Sequence, residues 1–488
     1  MTNGAALRDE GGYSPRGLLL GIAAFAALLL LPAPEGMPHA AWRVVAVAAL
    51  MAAWWLTEAL PLAVTGLLPL VLFPLLGILK INAAAAPYAD PVIFLFLGGL
   101  TLGLAMERWG LHRRVALTLV GALGTKPGAL VLGFMGATAF ISMWVSNTAT
   151  AAMMLPVTLS IVRLLRPQGP EAGAPAQPTR DDFATALLLG VAFAASIGGI
   201  ATLIGTPPNA LFAGYMHRSH GMTVGFAQWM AVGVPVAALL LLLTWLALTR
   251  LVFRLPRAAP AGLGERLRRE IAALPKLGYP EAMVALVFAA AATAWLTRPL
   301  LAAYVPGLDD TVIAVCAALA LFLIPSRRGG GLLDWAAAAR LPWGVLLLFG
   351  GGLSLAAGIG ESGLAEWVGA RLGALGHLPR VAVVLAIIVT TIAISELASN
   401  TASAAAFLPL AASIAAGLGA APVALTLPVA LAASCGFMLP VATPPNALFF
   451  SSGHITVRQM ARAGIVVDLL GAALILAAAL FLAPLVFG

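Results

Sequence analysis

The sequence predicts an all-α polytopic membrane protein, and composition, run length and backbone chemistry point the same way. Apolar side chains make up 61% of its 488 residues and charged ones only 9%, whereas about a quarter of the residues in soluble proteins are charged. Apolar runs long enough to cross about 30 Å of hydrocarbon recur from Gly17 to Phe487. An open strand edge would leave backbone N–H and C=O groups unpaired in lipid, so the spans must be helical. The expectation is about 11 transmembrane helices plus two shorter helix hairpins that enter and leave on one side.

Along the chain, the run from Gly17 to Leu31 follows Arg8 and Arg16 as a signal peptide would. No small-x-small cleavage site follows it, and it is read as the first span. The net charge of +8 comes from basic residues scattered singly or in short clusters between spans, which reports topology and gives no expectation of a nucleic-acid partner. With the N-terminus in the cytoplasm and each hairpin returning to its own side, 21 of the 27 Lys and Arg fall inside. Arg43, Lys80, Arg218, Arg298, Arg371 and Arg380 fall outside. That bias is what the positive-inside rule requires. Cys316 and Cys435 lie in apolar runs with no CxxC or His-rich spacing, so neither a disulfide framework nor a metal site is expected. Gly262 to Leu274, "GLGERLRREIAAL", places Leu263, Leu267, Ile271 and Leu274 on one face and reads as an amphipathic helix on the cytoplasmic membrane surface.

The threading makes the two halves inverted copies. "LFLGGLTLGLAMERWGL" at Leu95 aligns with "LFGGGLSLAAGIGESGL" at Leu348, an offset of 253 that also relates Ser146 to Ser399. "IGTPPNALF" at Ile204 returns as "VATPPNALF" at Val441 with an offset of 237, and the shortfall fits the longer connection from Arg166 to Arg180 in the first copy. Matching interruptions in inverted repeats point to a transporter site near the bilayer midplane.

Four interruptions carry the chemistry. Ser-Asn-Thr breaks "SMWVSNTATAAMMLP" at Ser142–Pro156 and "SELASNTASAAAFLP" at Ser395–Pro409. Each break leaves carbonyls of one half-helix and amides of the next without helical partners, a state tolerated only beside a cavity. Carbonyl ends suit a small cation and amide ends an anion, while Ser, Thr and Asn side chains supply both donors and acceptors. Pro207-Pro208 and Pro444-Pro445 unwind their spans around Gly205-Thr206 and Ala442-Thr443 by removing amide donors and disfavouring helix in the preceding residue. No Lys or Arg lies in any of the four segments, so an anion there would be balanced by helix ends and co-bound cations.

These motifs resemble those of the divalent anion:sodium symporter family, over nearly the whole chain from "WWLTEALPLAVTGLLPLVLFPLLGIL" at Trp54 onward. The resemblance implies a homodimer in the inner membrane, with a static scaffold and a transport domain that moves in an elevator fashion. The implied partition is scaffold spans over 1–90 and 281–340, a first repeat over 91–255 with tip 146–148 and broken helix 205–209, an amphipathic linker over 256–280, and a second repeat over 341–488 with tip 399–401 and broken helix 442–446. It also implies roles. Ser142, Ser146, Asn147 and Gly205 would surround one sodium ion, and Ser395, Ala398, Asn400 and Ala442 a second. Asn147, Thr148, Thr206, Asn400, Thr401, Thr443 and Pro444 would meet the substrate carboxylates. Ser395 stands where the family pattern has a threonine, and the hydroxyl is kept.

The implied function is sodium-coupled symport of a C4-dicarboxylate such as succinate, malate or fumarate, with no cofactor beyond the coupling ions. Sodium-independent dicarboxylate exchange and citrate or sulfate transport are the alternatives within transport. An ion channel would also use broken helices, but it has no need of two inverted, equally interrupted halves. No nucleophile-base or metal-ligand constellation supports a membrane enzyme. A lone polar triplet is ordinarily packing glue between helices, and Gly98-Gly99 and Gly350 to Gly352 read as close-packing surfaces. Glu58, Glu396 and Asp468 are the acidic residues near apolar runs, candidates by default in a membrane. Glu396, one residue after Ser395, is placed for a supporting role at the second ion site.

Overall fold

The computed structural model describes residues 14–122, 126–164, 182–255, 269, 272–302, 304–327, 329–372 and 379–488. The connection 166–180 lies outside these residues, as does the expected amphipathic stretch 262–274 apart from 269 and 272–274. Among the described residues the chain is helical, and its β contact is an isolated bridge between Pro325 and Gly331.

Among the described residues, seven helices are long and apolar enough to cross a membrane, and seven shorter apolar helices of 10–17 residues accompany them. The difference in length has a physical origin. Pro127–Ser142 and Arg380–Ser395 have 16 residues each, roughly 24 Å of helix, and each stops at a polar break instead of at the far surface.

The chain opens with α1 (Pro15–Leu30), α2 (His39–Leu56) and the short helices α3 (Leu62–Thr65), α4 (Leu68–Leu75) and α5 (Ile81–Ala85). The next seven helices are α6 (Pro91–Arg108), α7 (Leu111–Ala122), α8 (Pro127–Ser142), α9 (Asn147–Leu164), α10 (Asp182–Gly199), α11 (Pro207–His220) and α12 (Phe226–Leu246). After α13 (Tyr279–Leu301), α14 (Asp310–Leu323) and the single turn α15 (Trp335–Ala338), the same order returns. It runs through α16 (Trp343–Glu361), α17 (Leu364–Leu372), α18 (Arg380–Ser395), α19 (Asn400–Gly417), α20 (Val423–Ala432), α21 (Pro444–Ser451) and α22 (Val457–Ala477).

Local sequence sets the joints. Asp90 caps α6 by accepting a hydrogen bond from the Val92 amide at 3.1 Å, leaving Pro91 at a position where its missing N–H costs nothing. The turns after α6 and α16 place Gly110 at φ 76° and Gly363 at φ 78°, a left-handed conformation that favours glycine. These two glycines are partners at the 253-residue offset.

The two series interlock. α11 of the first packs against α19 and α20 of the second, while α21 of the second packs against α9 and α10 of the first. Phe193 of α10 meets Phe437 edge-on with ring centroids 5.2 Å apart. α10 is buried at every position after Asp182, and α20 at every position but Ala424. These two helices therefore form the axis around which the broken segments gather.

Glycines let α6 and α16 approach the flanking helices closely. A Cβ on Gly98 would lie 2.7 Å from the Ala314 backbone in α14, and one on Gly351 would lie 2.3 Å from the Gly66 carbonyl oxygen between α3 and α4. Backbone atoms cannot rotate out of the way, so even one added methyl forces the helices apart, at a cost of about 1–3 kcal/mol. Gly351→Ala is expected to lower the unfolding temperature of the purified protein in detergent by several degrees. Gly136→Ala in α8, where an added Cβ meets nothing within 4 Å, is expected to leave it unchanged or raised.

Candidate functional site

Each hairpin breaks where its Ser-Asn-Thr motif stands. α8 ends at Ser142 and α9 begins at Asn147; α18 ends at Ser395 and α19 begins at Asn400. Ser146 helps start α9, its carbonyl accepting from the Thr150 amide at 2.9 Å and its hydroxyl from the Ala149 amide at 3.3 Å. The unwound spans lie between Gly199 and Pro207 and between Ala432 and Pro444. Thr206 and Thr443 adopt extended backbone just before their prolines, as the Pro-Pro pairs require.

In each copy one side chain holds two of the freed carbonyls of the unwound span. Asn209 donates from Nδ2 to the carbonyls of Gly199 at 2.9 Å and Thr202 at 2.7 Å. Asn446 donates to those of Gly436 and Leu439, both at 3.1 Å. Every member of the second set lies 237 residues after its counterpart in the first, so the same tie is built twice. The asparagine of Thr-Pro-Pro-Asn is thus the internal partner that makes a break in a buried span tolerable.

Oxygen atoms gather at the carbonyl ends. The Ser142 hydroxyl lies 2.7 Å from Asn147 Oδ1 and 2.6 Å from the Ala195 carbonyl oxygen. Gly199 sits against this group, where a Cβ would lie 2.7 Å from Asn147 Oδ1 and 3.1 Å from the Gly205 carbonyl oxygen. In the second copy a Cβ on Gly436 would lie 3.3 Å from the Ser395 carbonyl oxygen and 3.3 Å from the Ala442 side chain. Ser395 Oγ and Asn400 Oδ1 are buried without a hydrogen-bond partner among the described residues. Hydroxyl, amide and carbonyl oxygens of this kind are the donor set that hard cations take, and the residues present fit sodium in both copies.

A cavity of 1120 Å³ lies between the two tips. Its wall includes Ser146, Asn147, Thr148, Gly205 and Thr206 from the first repeat and Ala398, Asn400, Thr401, Ala442, Thr443 and Pro444 from the second. Ser142 and Ser395, both fully buried, lie behind this wall at the ends of α8 and α18. All thirteen residues singled out in the sequence therefore fall on the cavity or immediately behind it. The N-termini of α9, α11, α19 and α21 reach the cavity through Asn147, Pro207, Asn400 and Pro444. α9 and α19 start with backbone amides that have no intrahelical partner, whereas Pro207-Pro208 and Pro444-Pro445 have no N–H to offer. The dipoles of all four helices give the cavity a positive potential without a basic side chain from the motifs.

Several contributors escaped the sequence reading. Gly199 and Gly436 have a signal in the 237-residue offset, but their role depends on close approach across the fold. Asn209 and Asn446 are visible as motif letters whose partners are not. Arg340, Phe96 and Leu100 also line the cavity from outside the four broken segments, and so does Glu58, one of the acidic candidates read from the sequence. Glu58 holds a left-handed backbone at φ 46°, an uncommon conformation for a residue with a side chain.

A model of the sodium:sulfate symporter transmembrane region matches residues 15–487. The sodium-dependent dicarboxylate transporter SdcS of Staphylococcus saprophyticus is 40% identical over 478 residues, covering 97% of this chain and 92% of the relative. The protein of the same name from Staphylococcus aureus matches to the same extent. Among solved structures, the YdaH transporter of Alcanivorax borkumensis superposes with a TM-score of 0.59 at 16% identity, over 90% of this chain and 98% of that one, a likeness of fold. Family match, relatives and paired motifs agree: this chain belongs to the sodium:sulfate symporter family, the divalent anion:sodium symporters.

Proposed function

We propose that this protein is a sodium-coupled symporter of C4-dicarboxylates such as succinate, malate and fumarate. The observation that carries the reading is the single cavity bounded by both Ser-Asn-Thr tips and both Thr-Pro-Pro-Asn breaks. A C4-dicarboxylate has two anionic ends, and the cavity offers two related sets of helix N-termini and hydroxyls to receive them. Asn147, Thr148 and Thr206 take one carboxylate, and Asn400, Thr401, Thr443 and Pro444 the other. Sodium ions sit behind them, one among Ser142, Ser146, Asn147 and Gly205 and one among Ser395, Ala398, Asn400 and Ala442. Asn147 and Asn400 belong to both sets, so a cation and a carboxylate share each tip, and binding of one favours binding of the other. The names of the SdcS relatives favour this substrate class and this ion over the alternatives of sulfate, citrate and sodium-independent exchange.

Movement follows the elevator pattern. α8 to α11 and α18 to α21 interlock into one body that carries the site, while 1–90 and 281–340 form a static scaffold, and the protein works as a homodimer in the inner membrane. Glu58 and Arg340 both fall on the cytoplasmic side when the N-terminus is inside. Their place in the cavity wall supports reading this as the inward-facing state. Arg340 then gives the cytoplasmic mouth a basic side chain that the broken segments lack.

Uptake of labelled succinate into proteoliposomes tests the coupling. The expected result is accumulation under an inward sodium gradient and none when sodium is replaced by choline. Uptake that needs only preloaded unlabelled dicarboxylate would establish exchange instead, and inactivity of folded protein with succinate, citrate and sulfate would refute transport of these anions. Asn147→Ala and Asn400→Ala are each expected to reduce sodium-driven uptake at least about a hundredfold, since each removes a shared ligand from a buried site. Normal kinetics in either variant would remove that tip from the site. Asn209→Ala and Asn446→Ala, which strand buried carbonyls, are expected to lower the unfolding temperature as well as transport.

A further inference from the structure

The two copies differ at one joint, between the hairpin tip and the unwound span that faces it. In the first copy this joint is neutral: the Thr202 hydroxyl donates to the Met143 carbonyl oxygen at 2.5 Å. At the matching positions of the second copy stand Leu439 and Glu396, 237 and 253 residues further on. Glu396 accepts from the Met438 amide at 2.8 Å through Oε1 and from the Leu439 amide at 2.9 Å through Oε2. A carboxylate receiving two backbone amides is a strong, geometrically fixed tie, and this one is only 2% exposed.

The surroundings enforce the joint. α22 lies directly on the tied loop: a Cβ on Gly464 would come within 2.2 Å of the Phe437 carbonyl oxygen, and one on Gly471 within 3.3 Å of Cys435 Sγ. Between these glycines, one helical turn from each, stands Asp468. It is 6% exposed and lies against Glu396 and the Phe437 backbone. Neither acid is in an ion pair within that set. The second tip thus carries the acidic Glu396 where the first carries Met143, and α22 brings Asp468 beside it.

We infer that Glu396 is the positioning residue of the second cation site, tying Ser395 and Ala398 of the tip to the segment that leads into Ala442, and that its charge makes this the tighter of the two cation sites. Ser395 and Ala398 flank Glu396 in sequence, and Leu439 precedes Ala442 by three residues. A tie between these points sets the separation of the oxygens around a cation. A carboxylate this close in a buried setting also favours a cation directly, by an amount that a neutral threonine tie does not supply. The inference rests on the proposed sodium-coupled function, and the two fail separately.

The test is the dependence of succinate uptake on sodium in proteoliposomes of wild-type protein, Glu396→Gln and Glu396→Asp. Wild-type uptake that ignores sodium defeats the proposed function, and with it the basis of the inference. With a sodium-dependent wild type, Glu396→Gln is expected to raise the half-saturating sodium concentration about tenfold. Maximal rate and the KM for succinate, both at saturating sodium, stay within about twofold. A merely structural role lowers the maximal rate without rescue by sodium, and that result overturns the inference, as does an unchanged sodium dependence. Glu396→Asp keeps the charge but cannot span both amides, and is expected to shift sodium dependence in the same direction by a smaller factor. If the Gln variant does not fold, wild-type sodium dependence in the Asp variant overturns the inference.

Discussion

The fold turns on one constraint, that every backbone N–H and C=O inside hydrocarbon must find a partner. Four broken segments violate it at first sight, and the structure resolves each violation in two ways. Some freed carbonyls are satisfied internally, by Asn209 in one copy and Asn446 in the other. The helix starts at Asn147, Pro207, Asn400 and Pro444 face a cavity instead; α9 and α19 offer a ligand their first amides, and the prolines that open α11 and α21 have no N–H to leave unpaired. Whatever dissolves in that cavity is therefore part of how the segments are satisfied.

This constraint explains why the two halves are interlocked instead of lying side by side. A half-helix of 16 residues is too short to span the membrane, and it is stable only if its tip is surrounded by protein. Each copy supplies cover for the other: α21 lies on α9 and α10, and α11 lies on α19 and α20. On the proposed mechanism the interlocked body moves as a unit, because separating its parts would expose unpaired backbone to lipid. The glycine contacts of Gly98 with Ala314 and Gly351 with Gly66 hold α6 and α16 against the flanking helices.

The positions of the breaks are legible in the sequence because their causes are local. Pro207-Pro208 and Pro444-Pro445 dictate unwinding of the residues just before them, and the helices end and restart beside Ser142, Asn147, Ser395 and Asn400 as the polar triplets imply. The duplication is legible from two offsets. What the sequence hides is what crosses the fold. Gly199 matters because Asn147 and Gly205 approach it, and the amides that Glu396 holds lie 42 and 43 residues away. Arg340 comes to the cavity from a helical connection that no motif marks. The seven long and seven short apolar helices show the same limit, since hydropathy finds apolar runs but not where a half-helix stops.

The most direct test is a density map of the protein in lipid nanodiscs with sodium and succinate present. On this account one anion bridges the two tips, with a carboxylate at Asn147 and Thr148, the other at Asn400 and Thr401, and a cation behind each. Succinate bound at a single tip, or outside the cavity between them, would contradict it.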